Sequence, residues 1–168
     1  MKLHSFALIL LALASTALAE SKVTLSGVHN CCKKCTDGIT KAVGSVSGTS
    51  AAVEKTSVTI TGSSAADVQK AVDALVAAGY TGESDNAEVK VKPGVGADEK
   101  VSALTVSGVH LCCGKCVTAA QKAIQTVSGV KSDNATKGVD TFKVEGEFNA
   151  KDLMAALAKA GFTGTASK

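Results

Sequence analysis

"SGVHLCCGKCVTAAQKAIQTVSG" (Ser107–Gly129) lines up without a gap on "SGVHNCCKKCTDGITKAVGSVSG" (Ser26–Gly48). Each window holds one histidine and three cysteines, and the two lie 81 residues apart. The likeness extends further: "AAGYTG" (Ala77–Gly82) returns as "KAGFTG" (Lys159–Gly164), displaced by one extra residue. Self-similarity at a fixed period marks a repeated structural unit, so the chain reads as two tandem copies of one domain.

The periodicity inside each copy gives the element order. "KVTLSGV" and "VSALTVSGV" alternate and are rich in β-formers, as a strand requires. After the cysteines, Ile39, Ala42, Val43 and Val46 recur at helical spacing, matched by Ala120, Ala123, Ile124 and Val127. Gly48 and Gly129 are expected to stop these helices. Weak strand signals follow at residues 49–53 and 130–135. "TSVTITG" and "DTFKVEG" then alternate again, and are expected to end at Gly62 and Gly146. "SAADVQKAVDALVAAG" and "NAKDLMAALAKAG" form a second helix, with Asp67 or Asn149 near its start and Gly79 or Gly161 at its end. A final strand is expected to begin at Tyr80 or Phe162. Strand, helix, strand, strand, helix, strand is the split βαβ pattern. The fold class is therefore α+β: two tandem ferredoxin-like βαββαβ domains, at 20–84 and 100–168. Residues 85–99 contain Pro93, Gly94 and Gly96 and read as an extended linker.

Residues 1–19 read as a cleaved secretory signal peptide. Lys2 is followed by an apolar stretch and by the small-x-small site Ala17-Leu18-Ala19. The apolar stretch is short for a membrane span, and the mature form is expected to have no membrane segment. A secreted or periplasmic location follows from this reading. Without Lys2 the chain carries 17 basic and 15 acidic residues. It has no basic run and no Trp, which argues against a nucleic-acid groove built from charge and stacking platforms.

All six cysteines fall in the two windows: Cys31, Cys32, Cys35 and Cys112, Cys113, Cys116. His29 and His110 lie there too, and His4 belongs to the signal. Tight clusters are the wrong pattern for a disulfide framework, which gains most by tying distant segments together. Cys32/Cys35 and Cys113/Cys116 are Cys-x-x-Cys pairs at the start of a helix, where backbone N–H groups and the helix dipole favour a thiolate. Two thiolates at this spacing suit one soft ion, Cu(I) or Zn(II), and exclude hard ions such as Mg or Ca. With Cys31 or Cys112 and His29 or His110, a tetrahedral Cys₃His zinc set is also available. Adjacent cysteines tend to point apart, so all three sulfurs of a window need not meet on one ion. Lys34 and Lys115, at matching positions, read either as positive charge beside the thiolates or as simply solvated residues on the helix face.

Together these features resemble the heavy-metal-associated domains found in copper chaperones, metal-ATPase N-termini and the periplasmic mercury-binding protein. The family motif is Gly-Met-x-Cys-x-x-Cys, and its metal cysteines match Cys32, Cys35, Cys113 and Cys116. The methionine position is Asn30 or Leu111, the glycine is His29 or His110, and the variable position is Cys31 or Cys112. These departures imply a site richer in donors than the family's pair of thiolates. Tyr80 and Phe162 match the family's aromatic near the metal loop, though either also reads as ordinary core packing.

The resemblance implies an exported, non-catalytic scavenger or metallochaperone. It would bind a soft metal ion, Cu(I) foremost, with Zn(II) or Hg(II) as further candidates. A metal-transporting protein would be its partner. Two other readings remain: a thiol–disulfide oxidoreductase, because Cys-x-x-Cys at a helix start is also a redox motif, and an interaction module with oxidised cysteines.

Overall fold

The computed structural model describes residues 20–168, and the signal-peptide reading lies outside them. The first copy runs β1 (Ser21–Ser26), α1 (Lys33–Gly44), β2 (Thr49–Glu54), β3 (Ser57–Gly62), α2 (Ala65–Ala77) and β4 (Glu83–Ser84). The second runs β5 (Lys100–Ser107), α3 (Gly114–Gln125), β6 (Val130–Asp133), β7 (Phe142–Asn149), α4 (Ala150–Lys159) and β8 (Thr165–Ser167). Each copy forms an antiparallel four-stranded sheet, ordered β2-β3-β1-β4 and β6-β7-β5-β8. The two ferredoxin-like βαββαβ units expected from the periodicity are both present.

Alternation places Val23, Leu25, Val58 and Ile60 on the buried face of the first sheet, under Ile39 and Val43 of α1 and Val68, Val72 and Leu75 of α2. In the second copy Leu104, Val106, Phe142, Val144 and Phe148 meet Ile124 of α3 and Leu153 and Leu157 of α4. Phe148 is 1 % exposed. Phe148→Ala removes a ring that its neighbours cannot replace, and is expected to cost about 3–5 kcal/mol in urea unfolding of the reduced chain.

Three boundaries differ from the sequence expectation. α1 and α3 end at Gly44 and Gln125, capped by Ser45 and Thr126, so Gly48 and Gly129 serve the turns into β2 and β6 instead. β7 does not stop at Gly146, because the buried alternation Phe142, Val144, Gly146, Phe148 carries the strand on to Asn149. The last strands start late, at Glu83 and Thr165. Tyr80 and Phe162 lie outside them and form an antiparallel bridge with each other, across the two copies.

The segment 85–99 carries no strand or helix, but it is docked rather than free. The Gln69 side chain brackets Lys90, donating to its carbonyl and accepting from its N–H, both at 2.8 Å. Val89 is buried. Gly94 N–H donates to Thr163 Oγ1 at 2.7 Å, and Ala150 N–H donates to the Glu99 carbonyl at 3.0 Å. The connection therefore runs from α2 of the first copy to α4 of the second. Among the described residues no helix is long and apolar enough to cross a membrane.

Candidate metal centre

The Tyr80–Phe162 bridge joins the two copies about a local two-fold relation. Thr81 N–H donates to the Gly161 carbonyl (3.2 Å), and Thr163 N–H donates to the Gly79 carbonyl (3.1 Å). Both threonines are buried. Each "AG-aromatic-TG" turn thus packs on the other's, and each reaches the cysteine loop of the opposite copy. A Cβ on Gly79 would fall 2.5 Å from the Gly108 carbonyl oxygen and 2.6 Å from His110 N, and a Cβ on Gly161 would meet His29 N and the Gly27 carbonyl. The Phe162 ring stacks on His29 and the Tyr80 ring packs at a tilt against His110, with centroids 4.3 Å apart in both pairs.

This interlock sets the two cysteine loops face to face. Cys32 and Cys113 are the N-caps of α1 and α3, in extended backbone, and neither side chain caps its own helix. The sulfurs turn instead toward the other copy. Cys31 Sγ lies 3.5 Å from Cys113 and 3.6 Å from Cys116, Cys32 Sγ lies 3.9 Å from Cys112 and 3.8 Å from Cys113, and Cys35 Sγ lies 3.6 Å from both Cys112 and Cys116. Within each window Cys32 and Cys35 are 3.8 Å apart, and Cys113 and Cys116 are 3.5 Å apart. Cys35 and Cys116 are fully buried and the other four partly so; all six are free thiols.

The structure therefore brings all six cysteines into one cluster, not two. Cys31 and Cys112 do not point away: Cys31 reaches Cys35 at 3.8 Å, and Cys112 reaches Cys116 at 3.7 Å. A nitrogen of His29 comes within 4.8 Å of the sulfurs of Cys31, Cys35 and Cys116. His110 enters no such group among the described residues. Yet the Nε2 atoms of both histidines are buried without a hydrogen-bond partner in the described structure. Buried polar atoms are normally satisfied, so these two stand out. Burial holds both imidazoles below their usual pKa, and for His29 the charge of His110 lowers it further. A nitrogen of a neutral imidazole can accept a metal bond.

The thiols differ in acidity. Cys113 is brought down to about 6, chiefly by the Cys116 N–H at the helix start. Burial pushes Cys35 up, but the Cys31 N–H and the sulfurs of Cys112, Cys116 and Cys31 outweigh it and leave the thiol below its usual range. Burial raises Cys116 to about 11, and raises Cys31 and Cys112 well beyond the ordinary thiol range. Each thiolate formed makes the next harder to form among sulfurs this close. Full deprotonation needs positive charge delivered to the centre, and a bound cation supplies it.

The other singled-out residues fall into place around this cluster. Lys34 and Lys115 are exposed on their helices. Leu111 is buried, whereas Asn30 is used as a polar brace: its amide donates to the Lys55 carbonyl (2.8 Å) and accepts from Thr36 Oγ1 (3.0 Å). Tyr80 is both core and site, since its hydroxyl donates to the Cys35 carbonyl at 3.3 Å. Its ring lies against His110 and that of Phe162 against His29, each histidine belonging to the opposite copy. Gly38 at the α1 surface makes room for that hydroxyl, a role that spacing alone did not reveal.

No protein-family model matches the chain. Among solved structures it is similar to the N-terminal soluble domains of Bacillus subtilis CopA in solution: 19% identity, 88% of this chain and 94% of that one covered, TM-score 0.30. A second structure, of the water-soluble region of the P-type ATPase CopA from Bacillus subtilis, gives 18% identity, 86% and 89% coverage, and TM-score 0.30. The first two RRM domains of the yeast poly(U)-binding protein Pub1 give 8% identity, 88% and 98% coverage, and TM-score 0.28. Scores this low say nothing of what the chain binds.

Proposed function

We propose that this chain is an exported soft-metal-ion binding protein of the heavy-metal-associated type, acting as a scavenger or metallochaperone rather than an enzyme. The observation that carries the proposal is the convergence of six free thiols, 3.5–3.9 Å apart, in one partly buried centre between the two domains. Soft thiolates at this density select Cu(I) or Zn(II) and have no use for hard ions. Cys32, Cys35, Cys113 and Cys116 are the primary ligands, Cys31 and Cys112 complete the sulfur set, and His29 and His110 flank it. Cu(I) is the preferred cargo, with Zn(II) and Hg(II) as alternatives. The protein would act in a secreted or periplasmic setting and hand its metal to a transporting partner by ligand exchange.

An oxidoreductase reading draws on the lowered thiol of Cys113. That sulfur, however, sits among those of Cys31, Cys32, Cys112 and Cys116 at a domain junction, built into a shared cluster rather than set apart as a lone pair. Isolating the exported protein anaerobically and measuring Cu, Zn and free thiols separates the readings. Bound Cu or Zn is the expected result. Metal-free protein that reduces insulin would replace the proposal with the redox enzyme, and metal-free, fully oxidised, inactive protein with the interaction module.

A further inference from the structure

The sulfur positions say more than that a soft ion fits. Cys35 Sγ lies 3.6–3.8 Å from Cys31, Cys32, Cys112 and Cys116. Cys116 Sγ lies 3.5–3.7 Å from Cys31, Cys35, Cys112 and Cys113. Cys31–Cys113, Cys32–Cys112 and Cys32–Cys113 lie at 3.5–3.9 Å, and the adjacent pairs Cys31–Cys32 and Cys112–Cys113, within 4.8 Å, close the figure. These are edges of an octahedron whose opposite corners are Cys31 and Cys112, Cys32 and Cys116, and Cys35 and Cys113. One set of alternate faces consists of Cys31-Cys35-Cys116, Cys31-Cys32-Cys113, Cys32-Cys35-Cys112 and Cys112-Cys113-Cys116, each a group of mutually close sulfurs. Every sulfur belongs to two of these triangles.

Building on the soft-metal reading above, we propose that the centre holds four Cu(I) ions as one hexathiolate cluster, one ion in each alternate triangle, with each thiolate bridging two ions. Size discriminates between the ways of filling the cage. A metal–thiolate bond is about 2.3 Å long. Given edges of 3.5–3.9 Å, the octahedron's centre lies about 2.6 Å from each sulfur, too far for one central ion bonded to all six. In the triangles Cys31-Cys35-Cys116 and Cys32-Cys35-Cys112, with edges of 3.6–3.9 Å, the centre lies about 2.1–2.2 Å from the corners, and a slight outward shift of the sulfurs brings it to bonding distance. Cu(I), a soft ion without a tetrahedral requirement, accepts three thiolates; zinc needs a fourth donor. Among the described residues only the triangle beside His29 has a fourth donor within 4.8 Å.

Charge also balances acceptably. Six thiols release six protons and four Cu(I) ions enter, so the filled cluster carries two net negative charges with no change of oxidation state. The N-termini of α1 and α3 both begin at the cluster, at Cys32 and Cys113, and their dipoles favour negative charge there.

The test is anaerobic titration of the reduced mature chain with Cu(I), followed by native mass spectrometry and copper-edge X-ray absorption. The expected result is saturation at four Cu(I) per chain, with apo and four-copper species dominating mid-titration, and short copper–copper scattering. Saturation at one or two ions overturns the cluster but leaves the soft-metal reading intact. No Cu(I) uptake overturns both. Cys31→Ser/Cys112→Ser removes one sulfur from every triangle, so it is expected to saturate at two ions, one per Cys-x-x-Cys pair, with an unchanged circular dichroism spectrum. Retention of four ions by that variant overturns the proposal.

Discussion

Loading the reduced chain with Cu(I) is expected to raise its thermal midpoint by about 8–16 °C. The ligands come from both domains, so the assembled site exists only when both are folded and docked. A metal excess that leaves about one native chain in a thousand unloaded stabilises the native state by about 4 kcal/mol. When the two docked domains unfold together as one unit of about 150 residues, each kcal/mol moves the midpoint by about 2–4 °C. Unfolded cysteines also bind copper, which trims the gain. The measurement is differential scanning calorimetry of apo and loaded protein under anaerobic, reducing conditions, with a chelator added back to the loaded sample. Cys35→Ser/Cys116→Ser should lose most of the shift, because these two sulfurs are the buried corners that join the cluster's halves. The shift should shrink as pH falls, since every ligand thiol must lose its proton to bind. A midpoint unmoved by metal, or moved equally in that variant, would exclude the cluster as the binding site.

Much of this architecture was legible in the sequence because it rests on local rules. Period-2 alternation at 22–28 and 56–62 marked strands, and 3.6-residue spacing from Ile39 to Val46 marked a helix. The gapless repeat then doubled every inference. The boundaries that slipped did so for tertiary reasons. A glycine reads as a stop, yet Gly146 lies on a buried face that Phe148 continues, so burial carried the strand through it. The docking of 85–99 rests on side-chain bonds from Gln69 and Thr163, which no composition count reveals.

The donor residues were equally visible, but their meeting was not. Three cysteines per window suggested a separate site in each copy. The single cluster depends on how two folded copies pack, and local periodicity does not encode that. Its one trace in the sequence was the second repeated block, "AAGYTG" and "KAGFTG". That block reads as helix end and strand start; it is also the contact by which each copy grips the other's cysteine loop.

That grip makes Gly79 and Gly161 the most sensitive positions outside the cluster, and Gly79→Val/Gly161→Val is expected to split one site into two. Their φ angles are +87° and +82°. A left-handed conformation costs an L-residue about 1–2 kcal/mol, and a β-branched side chain tolerates it least. At Gly79 a Cβ would also press on the Gly108 carbonyl and His110 N, and at Gly161 on His29 N and the Gly27 carbonyl. These obstacles are backbone atoms of the opposite copy, so relief comes by moving the copies apart. The core of each domain lies elsewhere, in residues such as Leu25, Ile60, Val106 and Phe148, and should survive. The variant should keep a native circular dichroism spectrum, bind at most two Cu(I) per chain, and give a larger radius in small-angle scattering. Gly138→Val supplies the control. Its φ is +81°, but no atom lies within 4 Å of a Cβ built there, so it feels the backbone strain without the collision. If the control lost copper as readily as the double variant, general destabilisation would explain both. If the double variant still took up four ions, the two cysteine loops would not need this interface to meet.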